Sequence, residues 1–496
     1  MKRRLSFPLL VFLSLAGHTP AHVLAQRIET LGPAVRKYVS VGTPRVILEH
    51  VEIIDGTGAA PVPDRNVTIE GGKITAISPG ADVTVSEGTT VLDLKGHSVM
   101  PGIVGMHNHL FCFVRPNLTA DGGTEGFFPA EMVFSAPRLY LANGVTTMRT
   151  TGSVNPYAQL KLKQDVEGGI VPGPHMDVTG PYLNGADNSL SYGLRGPEDA
   201  RQTVAFWADH GVTSFKAYKD ITREELSAAV KEAHKRGLKV TGHLCSVTYE
   251  EAAEIGIDDL EHGFFENTAL DPEKKPDKCR DTAGDYSLEH MTPGSPEASR
   301  LIATLIRHHV AITSTLPGLA SRVGDLDPSA AGRPAVRPAV LEAMAPSARD
   351  AYFFGRNRPV DKPTQSKDAL LLHRDMDLER AFVAAGGLLL AGADPVGIGG
   401  NIPGFGDQRE IELLVEAGFS PVEAIRIATY NGATYLGREA QIGSIAVGKN
   451  ADLVVMKGDP AAHITDIENV EIVFKDGVGY DTRKLLNSVK GRYGEY

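Results

Sequence analysis

Eight β-like runs, separated mostly by helical patterns, constrain this chain more than any other feature of its sequence. They fall at 101–110, 144–149, 175–179, 211–218, 238–243, 257–262, 310–315 and 387–394. Between them stand recognisable helix signals. Thr222 and Glu225 form a capping box ahead of an apolar stripe at Leu226, Ala229, Val230 and Ala233, and Gly237 stops that helix. Thr248 and Glu251 cap a shorter helix, and Ser420 precedes a proline at the first helical position. Strand and helix in eightfold alternation predict a (β/α)8 TIM barrel over residues 101–442. A doubly wound open sheet would need a glycine-rich phosphate turn after its first strand, and the sequence has none. Two insertions, 263–300 and 317–365, interrupt the alternation where loops emerge above a barrel's active face.

The chain's two ends read differently. Short β-runs at 46–54, 66–69, 73–77 and 90–94 are punctuated by Asp55-Gly56, Gly71-Gly72 and Lys95-Gly96. Similar runs return at 443–456 and 470–477. The expectation is a small β-sandwich split between 44–100 and 443–482, with the barrel inserted between its halves. Residues 1–25 read as a secretory signal peptide: Lys2-Arg3-Arg4, an apolar run from Leu5 to Ala16, and a small-residue cleavage site at Val23-Leu24-Ala25. That run is too short to anchor the chain in a bilayer, and no later segment is long enough to span one. The mature protein is therefore expected to be exported, periplasmic or secreted, with 26–43 as a poorly ordered leader. A formal net charge of −11 without a basic face argues against a nucleic-acid partner. Three cysteines, Cys112, Cys245 and Cys279, leave at least one thiol unpaired; the spacing supports no thiolate metal site and leaves the pairing open.

Chemistry-bearing residues gather at the C-terminal ends of the runs. His107 and His109 are one residue apart, and side chains at i and i+2 of a strand leave the same face. Lys216, His243, His262 and Asp394 close later runs. Each alone could be an ordinary hydrogen-bonded residue. Six at one face of a barrel point to metal binding. Lys216 alternates with Phe215, so the lysine turns inward as the phenylalanine turns outward. A protonated ammonium cannot hold a cation, whereas a neutral buried amine can add carbon dioxide to become an oxygen-donating carbamate.

The chain resembles the amidohydrolase superfamily of metal-dependent hydrolases. The likeness rests on Pro101-Gly-Ile-Val-Gly-Met-His107-Asn-His109, Lys216, Thr241-Gly-His243, Glu261-His262-Gly263, Gly392-Ala-Asp394 and Gly443 through Asp452. Within it the chain is most similar to the exported, prolidase-like branch of Xaa-Pro dipeptidases with a carboxylated lysine. The resemblance implies two divalent ions, with zinc the expected metal: one held by His107, His109 and Asp394, the other by His243 and His262. Lys216, as N6-carboxylysine, would lie between them. It also implies attack by a metal-activated hydroxide on a small-molecule amide, a dipeptide or an N-acyl amino acid. Asp394 would carry the proton to the leaving nitrogen, and Tyr218, on the side of the strand that bears Lys216, would hydrogen-bond the carbonyl oxygen.

The chain departs from that branch in one place. The loop 180–188 lacks the histidine its dipeptidases commonly place there, so amide hydrolysis is better supported than dipeptide specificity. Arg149, Arg195 and Arg201 are candidates for a substrate carboxylate, with surface ion pairing the competing role. A mononuclear deaminase or imidazolonepropionase-like cyclic amide hydrolase is the alternative enzyme, and a non-catalytic barrel the alternative of another class. A homo-oligomer is compatible with the sequence.

Overall fold

The computed structural model describes residues 28–80, 85–114, 128–186, 193–323, 337–356 and 361–495. The expected signal peptide lies outside them, as do parts of the loop 180–188 and of the insertion 317–365.

The N-terminal strands are β1 (Val39–Val41), β2 (Arg45–Ile53), β3 (Val62–Glu70), β4 (Lys73–Pro79), β5 (Thr89–Asp93) and β6 (His97–Pro101). Then come β7 (Ile103–Asn108), the hairpin β8 (Phe111–Val114) and β9 (Phe128–Glu131), β10 (Val145–Thr150) and β11 (His175–Val178). Next are β12 (Ser214–Ala217), β13 (Lys239–Gly242), β14 (Asp259–Glu261), β15 (Ala311–Ser314) and β16 (Leu389–Ala391). The chain finishes with β17 (Leu453–Lys457), β18 (Val470–Lys475) and β19 (Val478–Asp481).

Eight parallel strands make the barrel, in the two hydrogen-bonded runs β11-β10-β7 and β12-β13-β14-β15-β16. A few isolated backbone bonds join the runs. Thr213 N donates to Val178 O (2.8 Å) and Gly180 N to Ser214 O (2.9 Å) at one seam. Ala393 N and Asp394 N both donate to His107 O, at 3.0 and 2.9 Å, at the other. The fold is a (β/α)8 barrel with an additional sheet domain. Most barrel-strand residues are buried on both faces, as a sheet covered outside by helices and filled inside by its own side chains requires.

The additional sheet has nine strands, in the order β1-β19-β18-β17-β6-β2-β3-β4 with β5 also on β2. One edge of β2 runs parallel first to β5 and then to β6, because the strand breaks register between Leu48 and Val51, where His50 takes a left-handed φ of 59°. That bend wraps the sheet around a core including Val46, Leu48, Val67, Ile74, Leu453, Val455 and Phe474.

The N-terminal segment differs from expectation. Residues 28–43 are ordered: a helix spans Pro33–Arg36, β1 pairs with β19, and Leu31, Val35, Tyr38 and Val41 are buried. Their apolar spacing is the physical reason, with Gly32 N bound to Gly169 O at 2.8 Å tying the segment to the barrel. The sheet thus begins before residue 44.

Candidate active site

The barrel strands deliver the candidate side chains to one end. His107 and Lys216 lie within β7 and β12, His109, His243 and His262 one residue or so beyond their strands, and Asp394 just past β16. His262 (φ 68°) and Asp394 (φ 48°) adopt left-handed backbone that side-chain-bearing residues seldom take. Such conformations persist where surrounding contacts enforce them, and they cluster at functional sites.

One subset is His107, His109 and Asp394. The Asp394 Oδ1 atom is 3.0 Å from His109 Nε2 and 3.5 Å from His107 Nε2. The other subset is His243 and His262, whose Nδ1 and Nε2 atoms face each other at 2.8 Å. The His107 and His262 rings, 4.6 Å apart between centroids, bring the subsets together. Lys216 Nζ stands 3.3 Å from His107 Nε2, and its side chain is buried beneath Tyr182 and Tyr218, with ring centroids 5.6 and 5.9 Å away. All six candidate ligands therefore converge.

Three of the four histidines are held from behind through their other ring nitrogen, while His109 Nδ1 is buried without a hydrogen-bond partner. His107 Nδ1 meets Glu261 Oε2 at 2.6 Å, His262 Nδ1 meets Thr315 Oγ1 at 2.8 Å, and His243 Nε2 lies 3.3 Å from Glu266 Oε1. A partner on the outer nitrogen sets the tautomer and turns the inner lone pair toward a metal. Protonation states agree with such a site. Burial lowers His109 to about 4, and burial with the His243 and His107 charges puts His262 well below the usual range, so both are neutral imidazoles. Burial also lowers Lys216, against the opposing pull of Glu261 and Asp394. Burial alone would raise Asp394, but the His107 charge and hydrogen bonds from both histidines hold it well below the usual carboxylate range. Neutral imidazoles, a carboxylate and a lysine driven toward its neutral form are a donor set that fits divalent metal.

Under the site lies a buried ionic floor. Arg149 Nη2 contacts Asp259 Oδ2 at 2.7 Å and Glu261 Oε1 at 2.9 Å, while its Nε donates to Met106 O at 2.7 Å. Thr241 and Thr313 hydroxyls complete it on Glu261 and Asp259. This overturns both expected roles for Arg149, which is 1% exposed and touches neither solvent nor a substrate path. Arg195 and Arg201 pair with Asp199 and Glu198 on the exposed helix Pro197–Asp209. Tyr218 packs on His243 with ring centroids 4.8 Å apart and on Tyr182 at 5.0 Å; burial raises its phenol, which keeps the proton. Beside Tyr182, a cleft of about 510 Å³ is lined by Ser153, Pro181, Phe206 and Trp207.

Glu261, Glu266, Thr315 and Tyr182 were not assigned roles from sequence. Glu261 had a signal in its position next to His262, but strand alternation sends neighbours to opposite faces. The positive φ of His262 cancels that alternation, so both side chains serve the same site.

The Cys245–Cys279 disulfide links the loop after β13 to the insertion 263–300, and Cys112 is a buried free thiol.

Comparison with known proteins agrees with this architecture. The amidohydrolase family model matches residues 98–479. An imidazolonepropionase from Symbiobacterium thermophilum is 25% identical over 425 residues, covering 82% of this chain and 87% of that protein. Adenine deaminase 3 from Rhizobium meliloti is 23% identical, and the match spans 84% of this chain but only 54% of that protein. Among solved structures, a putative prolidase from Bifidobacterium longum superimposes with a TM-score of 0.64 at 24% identity, over 90% of this chain and 99% of that one. A Xaa-Pro dipeptidase with bound methionine in its active site gives 0.63 at 20%, over 88% and 100%. These structural likenesses show the shared fold. The chain belongs to the amidohydrolase family, the metal-dependent hydrolases of carbon–nitrogen bonds.

Proposed function

We propose that this chain is an exported amidohydrolase with a two-metal site, cleaving the amide bond of a dipeptide or N-acyl amino acid. The observation that carries the reading is Lys216: buried, 3.3 Å from His107 Nε2 and beside the second histidine pair. Addition of carbon dioxide to its neutral amine, with loss of one proton, converts it to a carbamate. That group would offer oxygen donors between the two subsets.

His107, His109 and Asp394 would hold one ion and His243 with His262 the other, zinc being the expected metal. When bound, the ions polarise the scissile carbonyl and lower the pKa of water. The protein's own groups do the rest. Asp394 is kept ionised by its two histidines, so it takes a proton from the attacking water and gives it to the departing nitrogen. Tyr218 keeps its phenolic proton and donates it in a hydrogen bond to the carbonyl oxygen. Export is supported by the basic and apolar leader and by the Cys245–Cys279 disulfide, a bond favoured in oxidising compartments.

Metal analysis of wild type and Lys216→Ala tests this. The expected result is two ions per chain in wild type, with loss of one or both together with activity in the variant. A second reading, a mononuclear cyclic amide hydrolase, draws on the likeness to the imidazolonepropionase. A Lys216→Ala enzyme with full activity and an unchanged single ion would establish that reading instead.

A further inference from the structure

A second convergence of ligand-type side chains lies away from the site, where the barrel meets the sheet domain. His175 opens β11, Asp452 immediately precedes β17, and Asp476 sits in the turn between β18 and β19. Among the described residues, ligand atoms of these three lie within 4.8 Å of one another, the same compactness as His107, His109 and Asp394. All three are buried, at 7%, 4% and 3% exposure.

The carboxylate lone pairs are incompletely used. Asp452 accepts the Asp476 backbone N–H at 2.7 Å through Oδ1, while Asp452 Oδ2 is buried without a hydrogen-bond partner. Asp476 Oδ2 is likewise without a well-directed hydrogen bond. His175 Nε2 straddles the Asp476 carboxylate, 3.2 Å from Oδ1 and 3.1 Å from Oδ2. The nearby Lys475 ammonium is 3.8 Å from Asp476 Oδ2, too far to occupy that lone pair. Two carboxylates removed from water beside each other, with open oxygens, are costly unless a cation joins them. Nitrogen and oxygen atoms 3.1–3.2 Å apart are also spaced as neighbouring ligands of one small ion are, at bond lengths of about 2.0–2.2 Å.

We propose that His175, Asp452 and Asp476 form a structural site for a first-row divalent cation that fastens the sheet domain to the floor of the barrel. One imidazole and two carboxylates suit Zn²⁺, Co²⁺ or Mn²⁺, with water completing the shell. The position is structural because the backbone around it joins the two parts of the fold. Asp452 O accepts Gly102 N at 2.8 Å, between β6 and β7, and Gly477 N donates to Ala451 O at 3.1 Å. The competing arrangement is an ion-pair cluster in which a protonated His175 and Lys475 balance the two aspartates without metal.

The full chain, stripped with chelator and dialysed to equilibrium against Zn²⁺, distinguishes them. Wild type is expected to retain one more ion per chain than Asp452→Asn or His175→Gln, while both variants keep wild-type turnover. Equal zinc content in wild type and both variants would overturn the proposal in favour of the ion-pair cluster. Should either variant fail to fold, wild-type crystals grown with Zn²⁺ decide the matter. An anomalous peak between His175, Asp452 and Asp476 is expected, and peaks confined to the His107–Asp394 end of the barrel would overturn the assignment.

Discussion

Glu266 shows how much of the site's precision resides outside the candidate ligands. It is a half-buried carboxylate whose contact with the His243 imidazole lowers its pKa against the cost of desolvation. Glu266→Gln preserves the shape and removes the charge that orients His243, so metal affinity should fall about 10–100-fold. Competition against a chromophoric chelator measures this, and unchanged affinity would remove Glu266 from the site. Arg149 acts one layer lower. Arg149→Met leaves Glu261 and Asp259 buried without their cation, an expected loss of about 3–5 kcal/mol in denaturant unfolding. A loss below about 1 kcal/mol would mean that the floor tolerates the change by taking up a proton. Individual residues were legible in sequence to the extent that local alternation governs them. The inward face of Lys216 followed from its parity with Phe215. The partners of Arg149 did not, because Asp259 and Glu261 reach it from another strand, and nothing near position 149 encodes that meeting.

At the scale of elements, the two helices on either side of β16 carry a structural feature with a pH signature. The helix Lys362–Ala384 begins inside the segment expected to be an insertion and presents Asp375 and Glu379 toward the barrel, while the helix Phe405–Glu416 adds Glu410. All three carboxyls are buried. Phe264 N donates to Asp375 Oδ1 at 2.7 Å and Ser314 Oγ to Glu379 Oε2 at 3.0 Å. A Cβ at Gly263 (φ 59°) would stand 2.5 Å from Asp375 Oδ2, so this cluster requires glycine directly after His262. Burial pushes Asp375 up to about 7 and Glu410 up to about 8. A carboxyl that holds its proton more tightly when folded contributes stability below its unfolded pKa and loses it as pH rises through the folded value. Glu410→Gln should therefore match wild type near pH 4.5 and become more stable by pH 8.5, by on the order of a few kcal/mol at ~1.4 kcal/mol per unit. Melting curves across that range test it; a stability difference independent of pH would contradict the raised carboxyl. The strands and capped helices were readable because period and capping residues are local. The ordering of residues 28–43 was not, since a short apolar segment folds only against the surface that receives it.

Over the whole molecule, two long-range connections set stability. The Cys245–Cys279 bridge closes a loop with a sequence separation of 34 and fastens the insertion 263–300 beside His243. Its reduction should cost roughly 2–4 kcal/mol, read as a lower denaturant midpoint in reductant. Equal midpoints would show that other contacts, such as Arg223 with Asp277 and Lys219 with Asp281, already hold the segment. The other connection is the sheet shared by the two ends of the chain. Because β17 pairs directly with β6, and β18 and β19 stand outside it, the sheet stays incomplete until the final strands have been made. Until then β6, Val99 and Met100 included, is paired with β2 on one side and open on the side that β17 will take. The consequence is kinetic: the sheet closes late in folding, through contacts far apart in sequence, and its open edge is exposed to pairing errors until it does.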